Sequence, residues 1–335
     1  MKRVLLVFIA ISLVLIACGG SNSGGSSAGG AAASAAPASR FADQLYIEVS
    51  ANGSAEYFQD HMKGLEEAGK FFGVKTEYVG PMDYNMDAVI AAMEASIAKK
   101  PAGILIVGWE DSLIPIINKS VAQGIPVVTV DADVVNSNRV AFVGTGNFDA
   151  GRLCGERIAE LIGGKGKVAI LGKVTLSNIQ DRVRGCEAVW KEKYPGIQFM
   201  GLIESGAESN TAAANLAATL QRIPDIAGVC SVDSEAGAGA IMALREAGLA
   251  GKVKCVSFDR GSEILQAIKD GIITESIVQQ TALMPFYGLN ICYNLRNCRV
   301  PMTKDDEKAG MPGIPSYIDT GVTVANKSNV ELFMK

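Results

Sequence analysis

What most restricts this chain is an alternation, from Leu45 onward, of short apolar runs with longer stretches of helical spacing, which starts afresh near Gly146. Strand, helix, strand, repeated, is the pattern of a parallel sheet with helices on both faces. The first series is LYIEVSA, helix Glu56 to Phe72, TEYVG, helix Asn85 to Lys99, GILIVG and helix Asp111 to Gln123. It ends in strands Pro126 to Val130 and Val140 to Val143. In its second helix Val89, Ile90, Met93 and Ile97 recur at three- and four-residue spacing, one apolar stripe to lay on a sheet. The second series is helix Phe148 to Ile162, KVAILG, helix Ile179 to Tyr194, IQFMGLIES, helix Asn210 to Arg222, GVCSVD, helix Ser234 to Ala247 and KCVSFD. A strand Ile272 to Gln280, a helix Leu283 to Asn294 and a last strand Tyr317 to Val324 complete the chain.

At 335 residues the chain suits two α/β lobes of ordinary size. The fold class expected is α/β, with two Rossmann-like, doubly wound parallel-sheet lobes. With crossings near Gly146, Gln279 and Asp319, three segments join the lobes and make a hinge that bends but resists twisting. The N-terminal lobe is then 42–146 plus 280–318, and the C-terminal lobe 147–279 plus 319–335. Net charge of -4 without a basic stripe argues against a nucleic-acid partner. One histidine, His61, and no Cys-x-x-Cys pair leave little from which to build a metal site or a histidine triad, and no cofactor is expected. These features favour binding over catalysis.

Lys2 and Arg3 precede an uncharged, mostly apolar run, Val4 to Ala17, too short to span a bilayer and right for a signal-peptide core. It closes on Leu15-Ile16-Ala17-Cys18-Gly19, which resembles the bacterial lipobox, so residues 1–17 read as a lipoprotein signal peptide and Cys18 as the lipidated residue. Residues 18–41, mostly Gly, Ser and Ala, form a flexible tether. The expected location is outside the cytoplasm, facing the periplasm or cell exterior, held at the cell membrane by lipid alone. Of the other cysteines, Cys230 and Cys255 sit in strand-like apolar runs where cysteine acts as a small hydrophobe, and a disulfide between Cys292 and Cys298 stays open.

Ligands of open α/β sheets sit outside the carboxyl ends of strands, so Asp131 and Asp133, ending the run GIPVVTVDAD, face a cleft; a helix N-cap is the competing reading. Trp109 follows GILIVG and is either a stacking surface or the cover of a helix end. Asn178 and Gln180 contact ligand or cap the helix they precede. His61 reads as solvated or partly packed.

Several segments in order resemble the type I periplasmic binding proteins of the ribose and galactose class, relatives of the LacI-type sensing domain. They are Gly124-Ile-Pro-Val-Val-Thr-Val-Asp131, Gly144-Thr-Gly-Asn147-x-x-Ala150-Gly151, Arg182-x-Arg184-Gly185, Asp233 after a strand, Phe258-Asp259, and Gln279 followed by Gly288. The likeness covers Leu45 to about Val324. It implies that Tyr57 and Phe58 lie on the apolar face of a sugar, that Asp131 accepts from hydroxyls, and that Arg184, Asp233, Asp259 and Gln279 complete the contacts. Ala132 stands where ribose binders carry arginine, which implies a hydroxyl pattern different from that of ribose.

The resemblance implies a monomeric, lipid-anchored solute-binding protein, not an enzyme, that captures a monosaccharide or polyol between its lobes and delivers it to the permease subunits of an ABC transporter. Delivery of the closed form to a chemoreceptor or sensor kinase is the alternative. A cleft glycoside hydrolase using Asp131 and Asp259 as acid and base is a further one. A LacI-type regulator is excluded, since a lipobox stands where DNA-binding helices would be.

Overall fold

The computed structural model of the chain describes residues 40–306 and 308–334. The expected signal peptide, Cys18 with its lipid, and the tether as far as residue 39 lie outside the described residues. None of the helices described is long and apolar enough to cross a membrane.

The first series folds into strands β1 (Leu45–Val49), β2 (Lys75–Val79), β3 (Gly103–Val107), β4 (Val127–Asp131) and β5 (Ala141–Gly144). Between them run helices α1 (Glu56–Phe72), α2 (Met86–Ala98) and α3 (Ile114–Ala122). Every residue of β3 and β4 is buried, as an apolar run without alternation requires when both sheet faces are covered. Local chemistry sets the helix ends. Asn85 caps α2 by accepting from the Ala88 N–H at 3.0 Å, and α1 stops at Gly73, whose left-handed φ of 64° lets its N–H reach back to the carbonyls of Gly69 and Lys70.

The second series gives α4 (Asn147–Leu161), β6 (Lys165–Gly172), α5 (Ser177–Lys193), β7 (Gly196–Glu204), α6 (Ser209–Arg222), β8 (Ile226–Ser231), α7 (Ser234–Glu246) and β9 (Lys254–Phe258). There follow α8 (Ser262–Lys269), β10 (Glu275–Gln279), α9 (Leu283–Asn297), β11 (Tyr317–Asp319) and β12 (Val322–Asn326). The eight-residue helix α8 is not among the sequence expectations. It begins shortly after β9 and buries Ile264, Leu265 and Ile268 against the second sheet.

Two six-stranded sheets result, with orders β11-β5-β4-β3-β1-β2 and β12-β10-β9-β8-β6-β7. Position for position the orders match, so β4 answers to β9 and β3 to β8. All pairings are parallel except that of β12 with β10. Each sheet has its own core. In the second, α6, α7 and α8 cover one face, and α4 with α5 cover the other.

The chain passes from the first sheet to the second after β5, returns after β10 to place α9 against β3 and β4, and passes over again between β11 and β12. The single strand expected over Tyr317 to Val324 is therefore two strands in different sheets, separated by Thr320 and by Gly321 with φ of 73°. Cys292 is buried and Cys298 exposed, and both are free thiols.

Candidate ligand-binding cleft

β4 and β9, equivalent strands of the two sheets, both run into an aspartate with left-handed backbone, Asp131 at φ 67° and Asp259 at φ 69°. Aspartate tolerates this conformation better than most residues, and such backbone costs about 1–3 kcal/mol, a cost that concentrates at functional sites. The turns aim both carboxylates into the space between the lobes, where Asp131 is 3% exposed and Asp259 7%. The other equivalent pair, β3 and β8, leads to Trp109 and Asp233 at the same rim. Helix α1 contributes Tyr57 and Phe58, and α5 contributes Asn178 and Arg182.

The Tyr57 hydroxyl donates to Asp131 Oδ1 at 2.6 Å, and Trp109 Nε1 donates to Oδ2 at 2.6 Å. Burial and the Asp131 charge push the Tyr57 hydroxyl well above its ordinary range, so it stays protonated and serves as a donor. Phe58 packs edge-on to Tyr57, ring centres 5.0 Å apart, and lies 5.7 Å from Trp109. One wall of the cleft is thus aromatic.

On the opposite lobe Ser234 Oγ donates to Asp259 Oδ2 at 2.7 Å, and Gln279 Nε2 donates to Oδ1 at 2.7 Å. Gln279 Oε1 in turn accepts from Thr145 Oγ1 at 2.7 Å. Asp233 accepts from the Ala236 N–H at 2.6 Å as the N-cap of α7, and from the Lys173 N–H at 2.9 Å. Burial pushes both Asp233 and Asp259 up; backbone donors oppose it most at the first, and the charge of Arg182 at the second.

An outer chamber of about 370 Å³ adjoins a smaller inner pocket, and Tyr57, Ser234, Glu235, Asp259 and Gln279 line both. Eight of the residues expected from the sequence meet here: Tyr57, Phe58, Trp109, Asp131, Asn178, Asp233, Asp259 and Gln279.

Three expected contacts do not join this cavity. Asp133 accepts from Thr129 Oγ1 at 2.7 Å and forms a two-pronged ion pair with Arg139, so its carboxylate is already engaged. Arg184 has a side chain 67% exposed and paired with Asp181. Gln180 Nε2 donates to the Val174 carbonyl at 3.0 Å. All three line a second opening, beside the first crossing at Thr145, Gly146 and Asn147. His61 is neither solvated nor partly packed. It is fully buried, with Nδ1 2.6 Å from Glu48 Oε1.

In place of Arg184 the cleft holds Arg182, 2% exposed. Its Nε donates to Asn147 Oδ1 at 2.8 Å and Nη1 to the Val232 carbonyl at 2.6 Å, and its guanidinium lies 4.2 Å from the centre of the Phe258 ring. Nη2 is buried without a partner among the described residues. Glu235 is the second residue beyond the sequence expectations, and burial pushes its carboxyl up to about 7. Away from the cleft, the thiols of Cys154, Cys186 and Cys230 lie within 4.8 Å of one another, a grouping that sequence spacing does not announce. All three are buried in the apolar cluster where α4, α5 and β8 meet and pack there as small core groups.

Residues 47–297 match the family model described as periplasmic binding protein domain. The chain is similar to the D-ribose/D-allose-binding protein of Pseudomonas aeruginosa, at 25% identity over 83% of this chain and 86% of that protein. It is similar to the xylitol-binding protein of Mycolicibacterium smegmatis, at 26% identity over 75% of this chain and 72% of the relative. Among solved structures, the arabinose-binding protein AraP of Geobacillus stearothermophilus superposes with a TM-score of 0.78 at 30% identity, over 88% of this chain and all of that one.

Proposed function

The chain belongs to the periplasmic binding protein family, whose members bind solutes rather than transform them, and from that premise we propose that it captures a monosaccharide or polyol between its lobes and delivers it to an ABC permease. The observation that carries the reading is the pairing of Asp131 from one lobe with Asp259 from the other around a cavity walled by Tyr57, Phe58 and Trp109. A sugar offers hydroxyls that donate to carboxylates and a C–H face that lies on rings. The names of the relatives, binders of ribose, allose, xylitol and arabinose, support the same class.

A hydrogen bond to a charged group contributes about 1.5–3 kcal/mol, so a few of them with one stacked ring reach micromolar affinity, about -8 kcal/mol. Ligand that touches both lobes stabilises the closed arrangement by its differential affinity for it, and the three crossings are the hinge. Closure brings surfaces of the two lobes into register for the permease, while a lipid on Cys18 keeps the monomer at the membrane.

A thermal-shift screen of the purified protein against pentoses, hexoses, inositols and alditols tests the reading. Ligand at a hundred times its Kd raises stability by about 2.7 kcal/mol. Asp131→Ala and Asp259→Ala should each abolish the shift and the calorimetric heat, and the ligand should be recovered unaltered. Unchanged binding by Asp259→Ala, or turnover of the ligand, sinks the proposal.

A further inference from the structure

The cleft is lined by four carboxyl groups, Asp131, Asp233, Glu235 and Asp259. Asp131, Asp233 and Asp259 already receive hydrogen bonds from the protein, as described above. Glu235 does not. It stands on the first turn of α7, lines both chambers, and among the described residues receives a hydrogen bond only from its own backbone N–H. Positive charge does not balance it. Ala132 occupies the position after Asp131, Arg260 is taken by Asp60, and Lys173 Nζ lies 3.6 Å from Glu204. That leaves Arg182, whose buried Nη2 has no acceptor among the described residues.

These two groups ask for different things. Nη2 of Arg182 needs an acceptor, which a sugar hydroxyl supplies. Glu235 is half-buried on the cleft wall, and a carboxylate there without a counter-charge is driven to take up a proton unless a cation keeps it ionised. Its raised pKa has that cause, with the neighbouring Asp233 adding to the effect of burial. The aromatic wall suits a cation too, because Tyr and Trp faces attract positive charge.

Resting on the proposed sugar-binding reading, we propose that the ligand is an amino sugar or amino polyol, its ammonium group held by Glu235 and a hydroxyl of the same molecule accepting from Arg182. The acidic mouth contributes to capture. Glu56 and Glu263 line the outer chamber together with Glu235, and a cleft of one sign concentrates ligands of the other.

The test is calorimetry on the purified full chain with matched pairs that differ by one group: glucosamine with glucose, galactosamine with galactose, mannosamine with mannose, and 1-amino-1-deoxy alditols with their parent alditols. In at least one pair the amine should bind about tenfold tighter or more than its neutral partner, the size of one charge-assisted hydrogen bond. Glu235→Gln should collapse that gap, and Glu235→Asp, which keeps the charge, should retain most of it. Neutral members binding as tightly as the amines in every pair overturns this inference and leaves the sugar-binding reading standing. A gap that survives Glu235→Gln overturns the assignment of the ammonium to Glu235. No binding by any amine overturns this inference, and the sugar-binding reading then stands or falls on the thermal-shift screen of pentoses, hexoses, inositols and alditols.

Discussion

Arg182 and Arg184 stand two residues apart on α5 and end in opposite surroundings, one in the cleft and one in solvent. Arg182→Ala removes the donor to the Val232 carbonyl and the cation beside Asp233 and Asp259. We expect it to weaken ligand binding by about 2–5 kcal/mol, the cost of truncating one member of a buried, hydrogen-bonded charge group. Arg184→Ala should stay within about 0.5 kcal/mol in both binding and stability. The distinction was legible in the sequence by periodicity, since Ile179, Arg182, Cys186, Val189 and Trp190 form one buried stripe that Arg184 misses. The motif Arg-x-Arg-Gly favours neither arginine on its own. His61 carries the same lesson, lying on the stripe Phe58, His61, Leu65 and Ala68. Burial works to lower its pKa, but the Glu48 carboxylate more than offsets this and raises it above the ordinary 6.5. A histidine so raised contributes stability that is fully present below about pH 6.5 and is lost as pH climbs through the folded-state value. The denaturant midpoint should therefore fall as pH is raised above about 6.5, and Glu48→Gln should flatten that dependence.

Helices α4 and α5 touch backbone to backbone through glycine. A Cβ on Gly185 would run into the Phe148 carbonyl oxygen and the Arg152 nitrogen, and one on Gly151 would run into the backbone of Arg182. Main chain inside two helices cannot give way as a side-chain tip can. Gly185→Ala should cost about 1–3 kcal/mol or more, read as a drop in Tm. Gly151→Ala should in addition weaken ligand binding, because the displaced turn carries Arg182. At this scale the strand and helix order was legible from apolar runs and helical spacing, and most elements begin and end within a few residues of where the pattern puts them. The misses have physical reasons. Helix α8 is a short segment held by Ile264, Leu265 and Ile268 against the second sheet, a tertiary contact and not a local signal. The break between β11 and β12 falls within a continuous strand-like run, and which sheet each half joins depends on partners far away in the chain, Phe142 to Gly144 for one and Glu275 to Gln279 for the other. The paired aspartates were readable. Val128-Thr129-Val130-Asp131 and Val256-Ser257-Phe258-Asp259 end their strands alike, and each faces the other's lobe.

Across the whole molecule, the lobes meet at more than the crossings. Arg260 of the second lobe pairs with Asp60 of α1, and the Ser262 N–H and Oγ donate to Glu56 at 3.0 and 3.1 Å. Glu56, Asp60 and Arg260 line the outer chamber and not the inner pocket, so these contacts bridge the lobes beside the outer chamber. Arg260→Ala should expand the ligand-free protein in small-angle scattering. It should weaken binding by about 0.2–1 kcal/mol, the worth of a partly exposed ion pair, while saturating ligand restores the compact radius. A radius that does not change with ligand in either protein would leave closure without support.

One amide ties the carboxylate of the second lobe to the first crossing. Gln279 grips Asp259 with its nitrogen and Thr145 with its oxygen, and it is itself the last residue before the second crossing. If the lobes close as proposed, a cargo that tugs on Asp259 would exert torque on two of the three connecting straps, and the angle at which the jaws come to rest would become a gauge of what they grip.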